Sequence, residues 1–164
     1  TAWAFATLPL QAGQLMDSIS EAFIATSAVF GVQGIANPAW SYAVILVDNE
    51  PLMDALAASS LRIISEFCPQ EFSNIAWACS QRAFVDATLR ASLASESIPK
   101  IAHFSHQDLS GLAWSFANSA FEHAPLLHAI SAAAIPRLGA FDAQSLTNTA
   151  WSFDVLPEPE RSAL

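Results

Sequence analysis

Tryptophan occurs five times in this chain of 164 residues, at Trp3, Trp40, Trp77, Trp114 and Trp151, and every gap between successive copies is 37 residues. Neighbouring columns keep the same register, with Phe30, Phe67, Phe104 and Phe141 in one and Gln33, Gln70, Gln107 and Gln144 in another. A fixed period of this size marks units that cannot bury their own apolar face and must stack on copies of themselves. The whole chain, 1–164, therefore reads as one array: a partial unit at 1–29, units at 30–66, 67–103 and 104–140, and a partial unit at 141–164.

Each unit carries two helical patterns and no strand alternation. The first helix is predicted over residues 32 to 47, with equivalents at 69 to 84, 106 to 121 and 143 to 156. Gly31, Cys68, Ser105 and Asp142 fill its N-cap column; Ser105 and Asp142 can accept from orphan amides, and Pro69 stands where no amide proton is needed. The Phe before the cap meets Ile35, Phe72, Leu109 or Leu146 five residues on, the spacing of a hydrophobic staple. The second helix is predicted over 50 to 65, 87 to 100 and 124 to 138, capped by Asn49 and Asp86 in the first two copies. Its apolar set Leu52, Leu56, Leu61 and Ile64 returns as Leu89, Leu93, Ile98 and Ile101. Pro99 and Pro136 should end it early, whereas Arg62 in their column lets it run on. The fold class that follows is all-α, an α-solenoid of antiparallel helix pairs.

Apolar residues make up 53% of the chain and charged ones 13%, which excludes ordinary disorder. Acidic residues number 15 against 6 basic ones, a formal charge of -9, so polyanions are repelled at long range. Cys68 and Cys79 form no disulfide or zinc pattern. Residues 22 to 47 carry no charge, but Gly31, Gln33, Gly34, Asn37 and Pro38 interrupt them and the register puts an inter-helix junction there, so no membrane span is expected. Thr1 falls in a mid-helix column, from which a longer protein with further repeats is expected.

The motif Phe-x-x-Gln-x-Leu-x-Asn-x-Ala-Trp, followed by Ala or Ser and an aromatic residue, resembles the octotricopeptide and heptatricopeptide repeats of organellar proteins in algae and apicomplexan-type protists. The period of 37 is similar to the heptatricopeptide variant. Thr-Ala-Trp-Ala-Phe-Ala near the start and Asn-Thr-Ala-Trp-Ser-Phe near the end are similar to copies in dinoflagellate-like sequences, and the likeness covers the entire chain. The resemblance implies a helical-hairpin array imported into plastid or mitochondrion that binds single-stranded RNA and serves transcript stability, processing, translation or ribosome structure.

Candidate residues fall into columns. The five tryptophans, the four phenylalanines and Asn37, Asn74 and Asn148 are expected to form the repeat core, the indoles as fillers and the carboxamides as a ladder bonding backbone between units. Ser41, Ala78, Ser115 and Ser152 in one column, and Glu71, Asp108 and Ser145 in another, vary on the polar side of the first helix and are the candidate partner contacts. Arg62, Lys100 and Arg137 give one cation per unit, able to track phosphates or to offset a helix C-terminal dipole. His103, His106, His123 and His128 lack carboxylate or thiolate neighbours at ligand spacing, no nucleophile with its base stands out, and there is no glycine-rich phosphate loop. No metal, cofactor, small-molecule substrate or catalysis is expected. Two readings follow: a segment binding single-stranded RNA, favoured by the resemblance, and a protein-binding scaffold of a large organellar assembly such as a ribosome, photosystem or respiratory complex, favoured by the acidity.

Overall fold

A computed structural model describes residues 13–44, 49–81 and 86–155. Its helices are α1 (Gly13–Thr26), α2 (Val32–Val44), α3 (Glu50–Ile63), α4 (Pro69–Gln81), α5 (Ala87–Ser97), α6 (His106–Asn118), α7 (Ala124–Ala134) and α8 (Ala143–Asp154). No strand occurs among the described residues, and the chain is all-α. Trp3 and the predicted helix ends at 45 to 47, 82 to 84 and 156 lie outside the described residues.

Helix starts are set by side chains that take the orphan amides of the first turn. Asn49 Oδ1 accepts from Leu52 N at 3.0 Å and Asp86 Oδ1 from Leu89 N at 2.8 Å. The third copy uses an imidazole, His123 Nδ1 accepting from Leu126 N at 3.2 Å, a cap that sequence rules for helix starts do not include. Ser105 and Asp108 form a reciprocal capping box at the start of α6, and Asp142 accepts from Ser145 N at 2.7 Å at the start of α8. That bond, ahead of a lesser pull from His106, holds the Asp142 carboxyl below the usual carboxylate range.

Helix ends follow proline. Helix α3, with Arg62 in the column, runs to Ile63; α5 and α7, with Pro99 and Pro136, stop at Ser97 and Ala134 and pass into six-residue 3-10 segments, Ile98–His103 and Ile135–Ala140. The uncharged run 22 to 47 is divided among α1, a 3-10 turn at Ser27–Val29 and α2, and no described helix is long and apolar enough to cross a membrane.

Two layers result. The first helices α2, α4, α6 and α8 pack along one another in chain order, while the second helices α1, α3, α5 and α7 meet far less closely. Small buried residues explain the tight layer: Ala36, Ser73 and Ser110, Ala39, Ala76 and Ala113, and Ser41, Ala78 and Ser115 let neighbouring first helices approach. The looser layer leaves a hollow between α3 and α5, lined by Leu61, Ala87, Ala91 and Ser95 among others. A stack tight on one side and open on the other bends with the first helices inside.

The core lies between the layers. Leu52, Leu56, Leu89, Leu93, Leu126 and Ile130 face it from the second helices; Ile35, Phe72, Leu109, Ile75 and Leu112 face it from the first. The Phe column joins units: Phe67, Phe104 and Phe141 are buried, and Phe72 sits 5.4 Å by ring centroid from Phe67 in its own unit and 6.0 Å from Phe104 in the next. The Phe67–Phe72 staple thus also serves as an inter-unit contact.

Candidate partner-binding face

The sequence expectations for the site separate into three corrections. The first concerns the column Ser41, Ala78, Ser115 and Ser152, expected on a polar face. All four are buried, because this column meets the neighbouring first helix. The serine hydroxyls turn back on their own helix, Ser41 to Asn37 O at 2.7 Å, Ser115 to Gly111 O at 2.7 Å and Ser152 to Asn148 O at 2.6 Å. They have nothing to offer a partner. The second expected contact column serves helix starts instead: Glu71 accepts from Cys68 N at 3.0 Å, Asp108 accepts from Ser105 N at 3.0 Å and from Ser105 Oγ at 2.6 Å, and Ser145 is buried.

The cations are the second correction. Arg62 donates to Phe30 O at 3.1 Å, Lys100 to Ser65 O at 2.7 Å and Phe67 O at 2.8 Å, and Arg137 to Phe104 O at 2.9 Å. Each reaches the carbonyl of the Phe that opens its own unit, and Lys100 also reaches Ser65 O at the end of the preceding one. They tie the end of each second helix to the junction ahead of the first helix, and Arg137 Nε also donates to Ala133 O at 2.7 Å, in the last turn of its own helix, as expected of a cation at a helix end. Arg62 stands one column ahead of Lys100 and Arg137, yet all three find the carbonyl of the Phe column, since proline converts that stretch to 3-10 geometry in the later units. Arg90, the remaining described cation, is buried, with Nη1 3.4 Å from Ser119 O and its guanidinium 5.2 Å over the Phe121 ring. All four described cations therefore donate to backbone carbonyls.

The third correction moves the tryptophan column to the margin of the core. Trp40, Trp77 and Trp114 are half-buried, with Trp77 packed against the core, and Trp151 is 41% exposed, so the indoles edge the core and do not fill its centre. They lie along the open face of the first helices, where Trp40 and Trp77 stack at 6.4 Å between centroids and Trp114 and Trp151 approach to 6.1 Å. No such pair joins Trp77 to Trp114. Asn37, Asn74 and Asn148 share the face and make no hydrogen bond through their side chains among the described residues, so the expected backbone ladder is absent. Gln33, Gln70, Gln107 and Gln144 are exposed at its edge.

The spacing explains why. Gln33, Asn37 and Trp40 stand at i, i+4 and i+7, as do Gln70, Asn74 and Trp77, which places carboxamide, carboxamide and indole on one stripe of each first helix. Between α4 and α6 the stripe sinks into a pocket lined by Trp40, Asn74, Trp77, Asp108 and Gly111, among others. Gly111 occupies the Asn column, and a Cβ there would meet only Ser73 Cβ at 3.8 Å, so the pocket marks the place of a missing carboxamide.

Two other groups contribute no chemistry to this face. Cys79 lies beneath it, its thiol pushed up to about 12 by burial, while Cys68 is exposed at a helix start. Among the described residues no three of His, Cys, Asp and Glu come together as a metal site. His106 lies 4.0 Å from Asp142 and 3.3 Å from Ser145 Oγ, His123 caps α7, and His103 and His128 are exposed.

Residues 2–157 match the family described as RNA-editing substrate-binding complex 6 protein. A search of curated proteins found no match. What the family match shares with the octotricopeptide and heptatricopeptide resemblance is a helical, RNA-associated repeat protein; the match does not support those two repeat types in particular.

Proposed function

The chain belongs to the RNA-editing substrate-binding complex 6 protein family, and from that premise we propose that it is a non-catalytic scaffold segment of an RNA-handling assembly, docking a polypeptide partner on the stripe of carboxamides and indoles. The observation that carries this reading is the combination on one face of the unpartnered Asn37, Asn74 and Asn148 amides with the absence of any described cation free of a backbone carbonyl. A net charge of -9 repels a phosphate backbone, and a neutral stripe of amides and indoles has the composition of a protein-docking surface. An organellar setting belongs to the same proposal and rests on the repeat resemblance.

A second reading keeps one specific support. Paired indoles can stack bases without phosphate contacts, at about 1–3 kcal/mol per base, and the family name speaks of an RNA-editing substrate. Titration of the full chain with a fluorescent single-stranded uridine oligomer at low and moderate salt separates the two. The scaffold reading expects no saturable binding at low salt, where attraction to phosphate is strongest. Binding whose log-log salt slope reaches about 0.7 per phosphate contact would turn the assignment to direct RNA recognition.

A further inference from the structure

We propose that the Gly111 pocket between α4 and α6 holds one arginine side chain of an extended, basic segment of the partner, laid across the first helices with its backbone on the asparagine column. The inference rests on the polypeptide reading above and adds the chemistry that the partner must bring.

Three features converge on that occupant. A carboxamide offers a donor and an acceptor side by side, the complement of the C=O and N–H of an extended peptide, whose backbone groups are not already used as they would be in a helix. Asn37, Asn74 and Asn148 present such groups at unit spacing and leave them unpartnered. Beside Asn74, the column breaks at Gly111 and the pocket opens, with two stacked indoles on its wall. The indole series breaks between Trp77 and Trp114, across the same two helices. A guanidinium plane fits against an aromatic wall of this kind.

The pocket also has an acid. Asp108 Oδ2 takes both bonds of the capping box, from Ser105 N and Ser105 Oγ, and Oδ1 takes neither, so one carboxylate oxygen stays available at the pocket. No described cation competes for it, and the chain's charge of -9 draws a basic segment in. An RNA strand would bring phosphates to the same carboxylate.

The test is a titration of the 15N-labelled full chain, followed through its indole and side-chain amide signals. The probes are a nine-residue Gly/Ser peptide carrying two arginines, its citrulline counterpart and a uridine nonamer. The arginine peptide should shift the signals of Trp40, Trp77 and Asn74, and citrulline should weaken binding by about tenfold. Gly111→Asn restores the residue that three other units carry, so it should fold, fill the pocket and abolish the arginine preference; Asp108→Asn should weaken that preference while the citrulline peptide is unaffected. Equal binding of the two peptides, or an unchanged preference in Gly111→Asn, overturns the pocket assignment but leaves polypeptide docking in place if the asparagine signals still shift. If only the uridine nonamer moves the indoles, or if no peptide acts at millimolar concentration, both the pocket and the polypeptide reading fail.

Discussion

The phenylalanine and tryptophan columns recur with the same period and the same fidelity, yet they lie at different depths, one within the core and the other at its margin. Phe104 is 1% exposed and touches Phe72 of the preceding unit inside the core; Trp151 is 41% exposed and meets Trp114 on the open face. Recurrence alone does not separate packing from function in a repeat protein. Every unit needs the same core, and a partner that spans several units also meets the same surface several times.

The sharpest break in the comparison should come from truncating one member of each column. Phe104→Ala removes a buried ring shared by two units and is expected to cost about 3–5 kcal/mol in urea unfolding. Trp151→Ala should cost about 0.5–1.5 kcal/mol, since the indole loses its contact with Trp114 but little buried area. Equal losses would put both columns in the core.

The cations come between these two. Lys100→Met keeps the aliphatic stem and removes the bonds to Ser65 O and Phe67 O, with an expected loss of about 1–2 kcal/mol. The loss should be nearly independent of salt, because the partners are carbonyls and not charges. A loss that vanishes at high salt would instead mark Lys100 as a surface counter-charge. The smallest effect is a gain. Ala120 sits at φ 49 after α6, where Phe121 N donates to Phe116 O at 3.2 Å, a helix-ending geometry that glycine adopts without strain. Ala120→Gly should raise stability by about 0.5–1 kcal/mol, and a fall in Tm would contradict that assignment.

Much of the fold is legible in the sequence because helix starts are written in residue types. The described starts Val32, Glu50, Pro69, Ala87, His106, Ala124 and Ala143 coincide with those expected from the caps and, at Ala124, from the repeat register alone, and the early ends of α5 and α7 with the prolines. The site is less legible for a physical reason. An indole flanked by alanines satisfies the pattern of a core filler whether the alanines let it sink or let a neighbouring helix approach beside it. Here Ala39 and Ala76 are buried against that neighbour while Trp40 and Trp77 stay half-buried. The signal that identifies the outer stripe is the amide pair one and two turns before Trp40, Trp77 and Trp151, since Gln and Asn share its face and would be left unsatisfied in a core. The cations mislead in a similar way. Their period is consistent with a phosphate track, and only the positions of the Phe30, Phe67 and Phe104 carbonyls show that it belongs to the closing of each unit on its own first residue.

The claim that the tryptophan column faces outward is tested most directly by the accessibility of its indoles. With Trp3 replaced by phenylalanine, the remaining emission comes from Trp40, Trp77, Trp114 and Trp151, and its quenching by acrylamide can be compared in the folded chain and in urea. The structure predicts red-shifted emission and a folded-state quenching constant within a few-fold of the unfolded one. Blue-shifted emission with quenching almost abolished until the chain unfolds would place the indoles in the core and contradict the account.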